Sequence, residues 1–166
     1  MYRVRQFFWA LGARMDRAAW AGVEEILDPA QRTLFRRMSR YDQRHSLDVV
    51  CALREAGCDD PDLLTAALLH DVAKSAGPLR LWHRVAIVLL KAFLPRWLDW
   101  LAREAAPGHW RYPFYVHRMH PEIGARWARE AGCTPQTVRL IAQHQTPPGP
   151  EIDDLLAALQ RADGQN

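Results

Sequence analysis

Cysteine is scarce in this chain. Only Cys51, Cys58 and Cys133 occur, and no two of them form a C-x-x-C pair. An odd number at this spacing fits neither a thiolate zinc site nor a disulfide framework. A reducing compartment, most simply the cytoplasm, is therefore the expected location.

Long apolar runs are also missing. The apolar stretch 85–94 contains Lys91 and is ended by Pro95, whereas a helix needs about 20 apolar residues to span a bilayer. At the N-terminus, Arg3 and Arg5 precede an apolar run that is short and soon followed by further charges. We therefore expect neither a membrane span nor a signal peptide.

Charge of one sign does not dominate. The 22 Lys and Arg residues against 19 Asp and Glu residues give a formal net charge of +3. The basic residues are scattered rather than grouped, so we expect an anionic small molecule rather than a nucleic acid as partner. With 166 residues, 49% of them hydrophobic and 25% charged, the chain has the size and balance of one folded domain.

Strand alternation and internal repeats are likewise absent, whereas helix signals recur. Asp28-Pro29 and Asp60-Pro61 each place a capping side chain before a proline at the first helical position. Six helices are predicted, over residues 28–38, 42–56, 60–70, 120–132, 134–144 and 152–162. The predicted fold class is therefore all-α.

The segment 75–119 differs in character, because it holds four of the seven tryptophans. It is predicted to form one or two helices broken at Pro95, followed by an irregular loop. We interpret it as an insertion or cap beside the helical core, although its aromatic residues fit a core role equally well. Peripheral membrane contact through 82–100 is a further alternative, which we rank below a packed helix pair.

Ionisable side chains interrupt the apolar faces of several predicted helices. Because residues three or four apart share a helix face, four helices each point one such group inward, and these are His45, His70, His144 and Asp163. Asp71 follows His70 directly, and His120 lies at a predicted helix start. A buried polar group without a partner costs about 1–3 kcal/mol. Taken singly, each histidine is best read as a hydrogen-bonded core residue. Together, the six would be satisfied by one or two divalent metal ions bridged by Asp71.

Three sequence motifs carry a resemblance to a known family. The segments Arg44-His45-Ser46, ALLHDVAK at 67–74 and Arg161-Ala162-Asp163 resemble the HD domain superfamily, whose H…HD…D signature supplies metal ligands for phosphohydrolases. The resemblance covers about 41–164. It implies a single HD-type helical bundle, with N-terminal helices in 1–40 and an aromatic-rich insertion at 75–119.

Two further motifs are similar to those of di-metal members of that superfamily. HPEIGA at 120–125 and IAQHQT at 141–146 stand where HD-GYP cyclic-dinucleotide phosphodiesterases and symmetrical diadenosine tetraphosphate hydrolases carry two extra histidines. The GYP element is absent, and Gln145 replaces the second histidine of an HD-GYP-like pair. The resemblance implies six metal ligands, with Asp71 bridging: His45, His70, Asp71, His120, His144 and Asp163.

The resemblance implies a metal-dependent phosphohydrolase of the phosphodiesterase or nucleotidase type. It would cleave an ester or anhydride of a phosphorylated small molecule, with a nucleotide as the favoured substrate. Iron or manganese is the favoured metal, with zinc, cobalt and nickel as alternatives, because the ligands are imidazole and carboxylate. Asp71 and Lys74 are the predicted catalytic residues, Lys74 as a phosphate-binding cation one turn after His70.

Two questions stay open at the level of sequence. One is a second class of function, a non-catalytic metal-binding HD module that binds a nucleotide or a protein partner. The other is whether the chain forms a homodimer. His83, His109 and His117 are left out of the metal site, because they lie in the aromatic segment, where packing or exposure is the expected role.

Overall fold

The computed structural model describes residues 17–77, 80–147, 149 and 153–165. Within these ranges the chain forms nine α-helices, one 3-10 helix (Val72–Ala76) and no strand, so the predicted all-α class is confirmed. The helices are α1 (Arg17–Ile26), α2 (Pro29–Phe35), α3 (Arg40–Glu55), α4 (Pro61–Leu69), α5 (Leu81–Phe93), α6 (Pro95–Leu101), α7 (Tyr112–Glu130), α8 (Pro135–Gln143) and α9 (Asp154–Gln165). Two predictions lie outside the described residues. One is the expected absence of a signal peptide, which concerns residues 1–16, and the other is the predicted helix start at Ile152.

Three helices begin as their sequences predict. Asp28, Asp60 and Thr134 each accept a hydrogen bond from a backbone N–H of the first turn, and each is followed by a proline. At Asp28 the cap is reciprocal, because the side chain of Gln31 accepts the backbone N–H of Asp28. These caps satisfy N–H groups that have no partner inside the helix.

Helix α4 is the centre of the fold. All seven residues from Leu63 to Leu69 are buried, so the helix is covered on every side. It packs against α1, α2, α3, α8 and α9. Because α4 ends at Leu69, His70 and Asp71 leave it at the middle of the molecule, where they are 1% and 2% exposed.

Helix α7 corrects one prediction. A helix was expected to begin at His120-Pro121, but α7 begins at Tyr112 and Pro121 lies inside it. Proline has no N–H to donate to the carbonyl of His117 four residues earlier. The Nδ1–H of His120 donates to that carbonyl instead, at 2.6 Å, so the freed acceptor is satisfied and the helix continues. The irregular loop shrinks to the residues between α6 and α7.

Helices α5 and α6 form a hairpin that breaks at Pro95, as predicted. Its inner side forms a small second core of Ile87, Ala102 and Phe114. The four tryptophans, for which a core role was an open alternative, lie instead at the surface: Trp82, Trp97, Trp100 and Trp110 are between 44% and 60% exposed.

Candidate metal centre

Five parts of the fold deliver ionisable side chains to one place. Helix α3 carries His45 and α9 carries Asp163, while His70 and Asp71 follow the end of α4. His120 lies midway along α7, and His144 directly follows α8. The structure thus brings together all six residues that the sequence indicated as ligands.

The first half of the cluster consists of His45, His70 and Asp163. Their ligand atoms all lie within 4.8 Å of one another, the spacing of groups that share a metal ion. His45 Nε2 lies 2.9 Å from Asp163 Oδ1, and His70 Nε2 lies 3.6 Å from the same oxygen. His45 and Asp163 remain partly exposed, so this half opens towards solvent.

The second half consists of His70, Asp71 and His144, whose ligand atoms also lie within 4.8 Å of one another. His120 lies beside this group, with its Nε2 3.2 Å from Asp71 Oδ1 and 3.2 Å from His144 Nε2. His120 and His144 are almost fully buried. His70 therefore belongs to both halves, and Asp71 is the carboxylate at their junction.

Hydrogen bonds to the backbone fix the tautomer and the ring orientation of three of the histidines. Nδ1 of His70, His120 and His144 lies 2.9, 2.6 and 2.8 Å from the carbonyl oxygen of the residue three positions earlier. A carbonyl only accepts, so each Nδ1 must carry the hydrogen. In a neutral imidazole, Nε2 then holds a lone pair, and all three lone pairs face the carboxylate of Asp71. This is the arrangement typical of histidine metal ligands.

The ligand atoms of the cluster carry more lone pairs than there are N–H or O–H groups to donate hydrogen bonds to them. Nε2 of His70 and Oδ1 of Asp71 are buried without a hydrogen-bond partner among the described residues. The Nε2 atoms of His120 and His144 are only 3.2 Å apart, and the side-chain amide of Gln145 reaches the first of them at 3.3 Å. Lone pairs this close repel unless a cation lies between or beside them. The residues therefore fit a divalent metal ion, and nitrogen and oxygen ligands without a thiolate suit iron, manganese, zinc or cobalt.

The pKa values follow the same electrostatics. Burial lowers the pKa of His144 to about 3, so its ring is neutral and free to act as a ligand. Burial also acts to lower the pKa of His70, but the carboxylates of Asp71 and Asp163 outweigh it and raise that pKa. Burial opposes the ionisation of Asp71, yet the charges of Lys74 and His70 hold its pKa well below the ordinary value. The space around His70 thus favours a positive charge.

Lys74 reaches the cluster, as its register predicted, and its ammonium contacts Asp71 Oδ2 directly. Burial acts to lower the pKa of Lys74, but Asp71 and Asp42 outweigh it and raise that pKa, so the side chain remains charged. In this position Lys74 neutralises Asp71. The structure therefore shows Lys74 in an ion pair and not as a free ammonium available to bind phosphate.

Several polar residues that the sequence left unassigned have definite places. Asp42 is buried and accepts hydrogen bonds from Ser39 at 2.6 Å and from the Arg84 guanidinium at 3.1 Å, which ties α3 to the α5–α6 hairpin. Asp48 pairs with Arg44 at the surface, at 2.9 Å. Neither is a ligand, and the pairing of Asp42 with Arg84 could not be read from residues 42 positions apart.

The three histidines that were left out of the site lie outside both ligand groups. His83 stacks on Trp82 and His109 on Trp110, which is the expected packing role. His117 stacks on His120 with ring centroids 5.9 Å apart, and burial lowers its pKa to about 4. Its contribution to the centre is the carbonyl that orients His120, and the position of Pro121 four residues later was the signal for it.

Comparison of the chain with protein-family models, with curated proteins and with solved structures finds no significant match. Among the described residues, no helix has the length and apolar character needed to cross a membrane.

Proposed function

We propose that this protein is a metal-dependent phosphohydrolase of the HD type that cleaves an ester or anhydride bond in a phosphorylated small molecule. The observation that supports it most is the position of Asp71. Its Oδ2 lies 3.5 Å from His70 Nε2 and 4.0 Å from His45 Nε2, while its Oδ1 lies 3.2 Å from His120 Nε2. One buried carboxylate thus faces two sets of imidazoles, as a carboxylate shared by two cations does.

Each residue then has a role. His45, His70 and Asp163 would hold one cation, His120 and His144 would contribute to a second, and Asp71 would be available to both. When bound, such ions supply a water activated near neutral pH and positive charge for the phosphoryl oxygens. The backbone carbonyls that hold Nδ1 of the histidines keep the ligand lone pairs aimed inward, which reduces the reorganisation needed on loading.

Lys74 has two successive partners in this proposal. It neutralises Asp71 Oδ2 in the structure. Were this oxygen to serve as a metal ligand, Lys74 would lie beside the site with a charge suited to a substrate phosphate. The solvent-accessible side formed by His45 and Asp163 is where an anionic substrate would enter.

Phosphodiesterase turnover tests the proposal. Purified protein loaded with manganese or ferrous iron should hydrolyse bis-p-nitrophenyl phosphate, and a nucleotide panel should then identify a preferred substrate class. The Asp71→Asn variant should lose both metal and turnover, while Asp48→Asn, which removes a surface carboxylate, should keep both. Metal binding without turnover of any phosphoester would favour the alternative, a metal-binding module that recognises a nucleotide or a protein. Absence of metal binding would refute the metal centre itself.

A further inference from the structure

The exposed large hydrophobic side chains are confined to one segment of the described chain. Every one of them among the described residues lies between Trp82 and Trp110, on the α5–α6 hairpin or the loop that follows. Phe93 and Val88 are 75% and 66% exposed. Monomeric proteins rarely leave large apolar side chains grouped in this way, and such groups mark interaction surfaces.

Helix α5 has two apolar sides and only one of them is covered. His83, Ile87 and Leu90 follow one another at helical spacing, and they face the rest of the protein. Val85, Val88 and Leu89 lie on the other side and are at least half exposed. A helix that is apolar all round is normally buried or in contact with lipid. The outer side of α5 therefore needs an apolar neighbour that the described residues do not provide.

The same segment is strongly basic. Residues 80–111 contain six Lys or Arg residues and two Asp or Glu residues, a net charge of +4 in a chain whose total is +3. The remainder of the chain is therefore close to neutral. Although basic residues are scattered along the sequence as a whole, the hairpin concentrates positive charge next to exposed apolar and tryptophan side chains.

Two arginines of this segment converge with a third from α7. Arg96, Arg103 and Arg118 line one surface depression together with Trp100 and Asp99. Within the described part of the chain, none of these three guanidiniums has a carboxylate partner within salt-bridge distance. Guanidinium groups without carboxylate partners are well suited to bind a phosphate group.

From this combination we infer that the α5–α6 hairpin docks on the surface of an anionic lipid bilayer. The outer side of α5 enters the boundary between headgroups and acyl chains, the tryptophans lie at headgroup level, and the arginine depression holds a lipid phosphate. Charge decides against a second copy of this chain as the occupant, because two faces of net charge +4 would repel each other. The inference is independent of the metal centre and of the proposed hydrolase activity.

Co-sedimentation with vesicles tests this inference. The full chain should bind vesicles of phosphatidylcholine mixed with phosphatidylglycerol, with a blue shift of tryptophan fluorescence, and bind pure phosphatidylcholine far more weakly. Added salt should weaken the binding, because it screens exposed charges. The Arg96→Gln/Arg103→Gln variant should bind about 25-fold more weakly, since each basic residue near an anionic surface contributes about five-fold.

A second variant removes the apolar contribution, and a third controls for charge. Val88→Ser/Phe93→Ser changes two exposed side chains, so the protein should fold normally by circular dichroism while its vesicle binding falls at least about ten-fold. Arg126→Gln/Arg129→Gln removes the same charge from the far half of α7 and should bind like the parent chain.

Two results would overturn the inference. One is vesicle binding that all three variants retain, which would place the lipid contact elsewhere in the chain. The other is a parent chain that binds no vesicles, whether it sediments as a monomer or as a dimer that the Val88→Ser/Phe93→Ser change dissociates.

Discussion

His70 is the residue on which the candidate metal centre depends most. It is 1% exposed, it belongs to both groups of ligand atoms, and its Nε2 has no hydrogen-bond partner among the described residues. Its Nδ1–H is held by the carbonyl of Ala67 in the last turn of α4. A candidate ligand anchored to the most buried helix of the fold would have little freedom to move if a cation bound or left.

We therefore expect His70→Ala to abolish metal binding at the position formed with His45 and Asp163. Loss of an orienting partner alone costs about 10–100-fold in metal affinity, so loss of the ligand itself should cost more than about 100-fold at that position. The matched control is His83→Ala, which removes another buried histidine that lies outside the cluster. Metal content after dialysis against manganese measures the difference. A His70→Ala protein that retains its metal would remove His70 from the ligand set.

Variants of the Asp71–Lys74 pair distinguish the contribution of Asp71 to stability from its role in metal binding. Without metal, Asp71→Asn leaves the Lys74 ammonium without its direct partner, which should lower the free energy of unfolding by up to about 3 kcal/mol, because Lys74 is only partly exposed. Lys74→Met in the same chain should restore most of that loss, since it removes the unpaired charge. Urea denaturation with chelator present measures both effects.

The double variant should still fail to bind metal, because the carboxylate is absent. If Asp71→Asn alone is as stable as the parent chain in chelator, the ion pair contributes nothing to folding. If the double variant binds manganese normally, Asp71 is not a ligand.

At the scale of elements, α7 is the helix whose placement matters most to the centre. Gly124 lies one turn after His120, and a Cβ atom built there would meet Ile141 Cγ2 at 3.4 Å, Val72 Cγ1 at 3.6 Å and Ala73 Cβ at 3.7 Å. These are ordinary contact distances, so α7 approaches α8 and the 3-10 helix closely enough to leave room for a methyl group but not for a longer side chain. The depth at which His120 enters the cluster follows from that approach.

Gly124 therefore gives a graded test. Gly124→Ala should be tolerated and should raise stability by up to about 1 kcal/mol, the gain from replacing glycine inside a helix. Gly124→Leu should push α7 outward and weaken metal binding through His120, although position 124 offers no ligand atom. Metal titration of both variants by calorimetry measures the effect. Equal affinity in both would show that the placement of α7 does not control the centre.

The attachment of the hairpin can be tested separately. Arg84 donates to both oxygens of the buried Asp42, and a hydrogen bond to a charged group contributes about 1.5–3 kcal/mol. Arg84→Met should therefore speed amide hydrogen exchange across α5 by about ten-fold or more, while exchange in α4 stays slow. Arg44→Met, which removes the surface pair with Asp48, is the matched control and should leave α5 unchanged. Unchanged exchange in the Arg84→Met protein would show that packing alone holds α5.

At the scale of the whole molecule, the candidate metal centre joins helices that are far apart in sequence. The candidate ligands come from α3, α7 and α9 and from the segments after α4 and α8. A cation that binds only the folded chain adds RT ln(1 + [L]/Kd) to its stability, about 2.7 kcal/mol when the ion is at 100 times its Kd. Binding at this point should therefore stabilise the entire helical bundle rather than one element.

We expect manganese at that excess to raise the melting temperature by about 5–10 °C, since a domain of this size gains about 2–4 °C per kcal/mol. Differential scanning calorimetry with and without chelator measures the shift. The Asp71→Asn protein should show no shift, and Asp48→Asn should shift like the parent chain. A parent chain with the same melting temperature in manganese and in chelator would argue against a metal bound to the native state.

Local chemistry in the sequence determined much of this protein. Aspartate or threonine followed by proline fixed the starts of α2, α4 and α8, because capping and the proline φ angle act within one helical turn. The same helical register predicted that His45, His70, His144 and Asp163 point inward, since residues three or four apart share a face. The all-α class and four of the six cluster residues followed from such short-range rules, whereas the full set of six was implied by the resemblance to the HD domain superfamily.

Only the three-dimensional structure decided the remaining features, most of which depend on contacts between distant parts of the chain. Pro121 reads as a helix start, yet α7 passes through it because His120 satisfies the carbonyl that proline leaves free. The pairing of Arg84 with Asp42, 42 positions apart, depends on how helices pack. The exposure of the tryptophans was decided in the same way, since an aromatic sequence fits a core and a surface equally until its neighbours are in place.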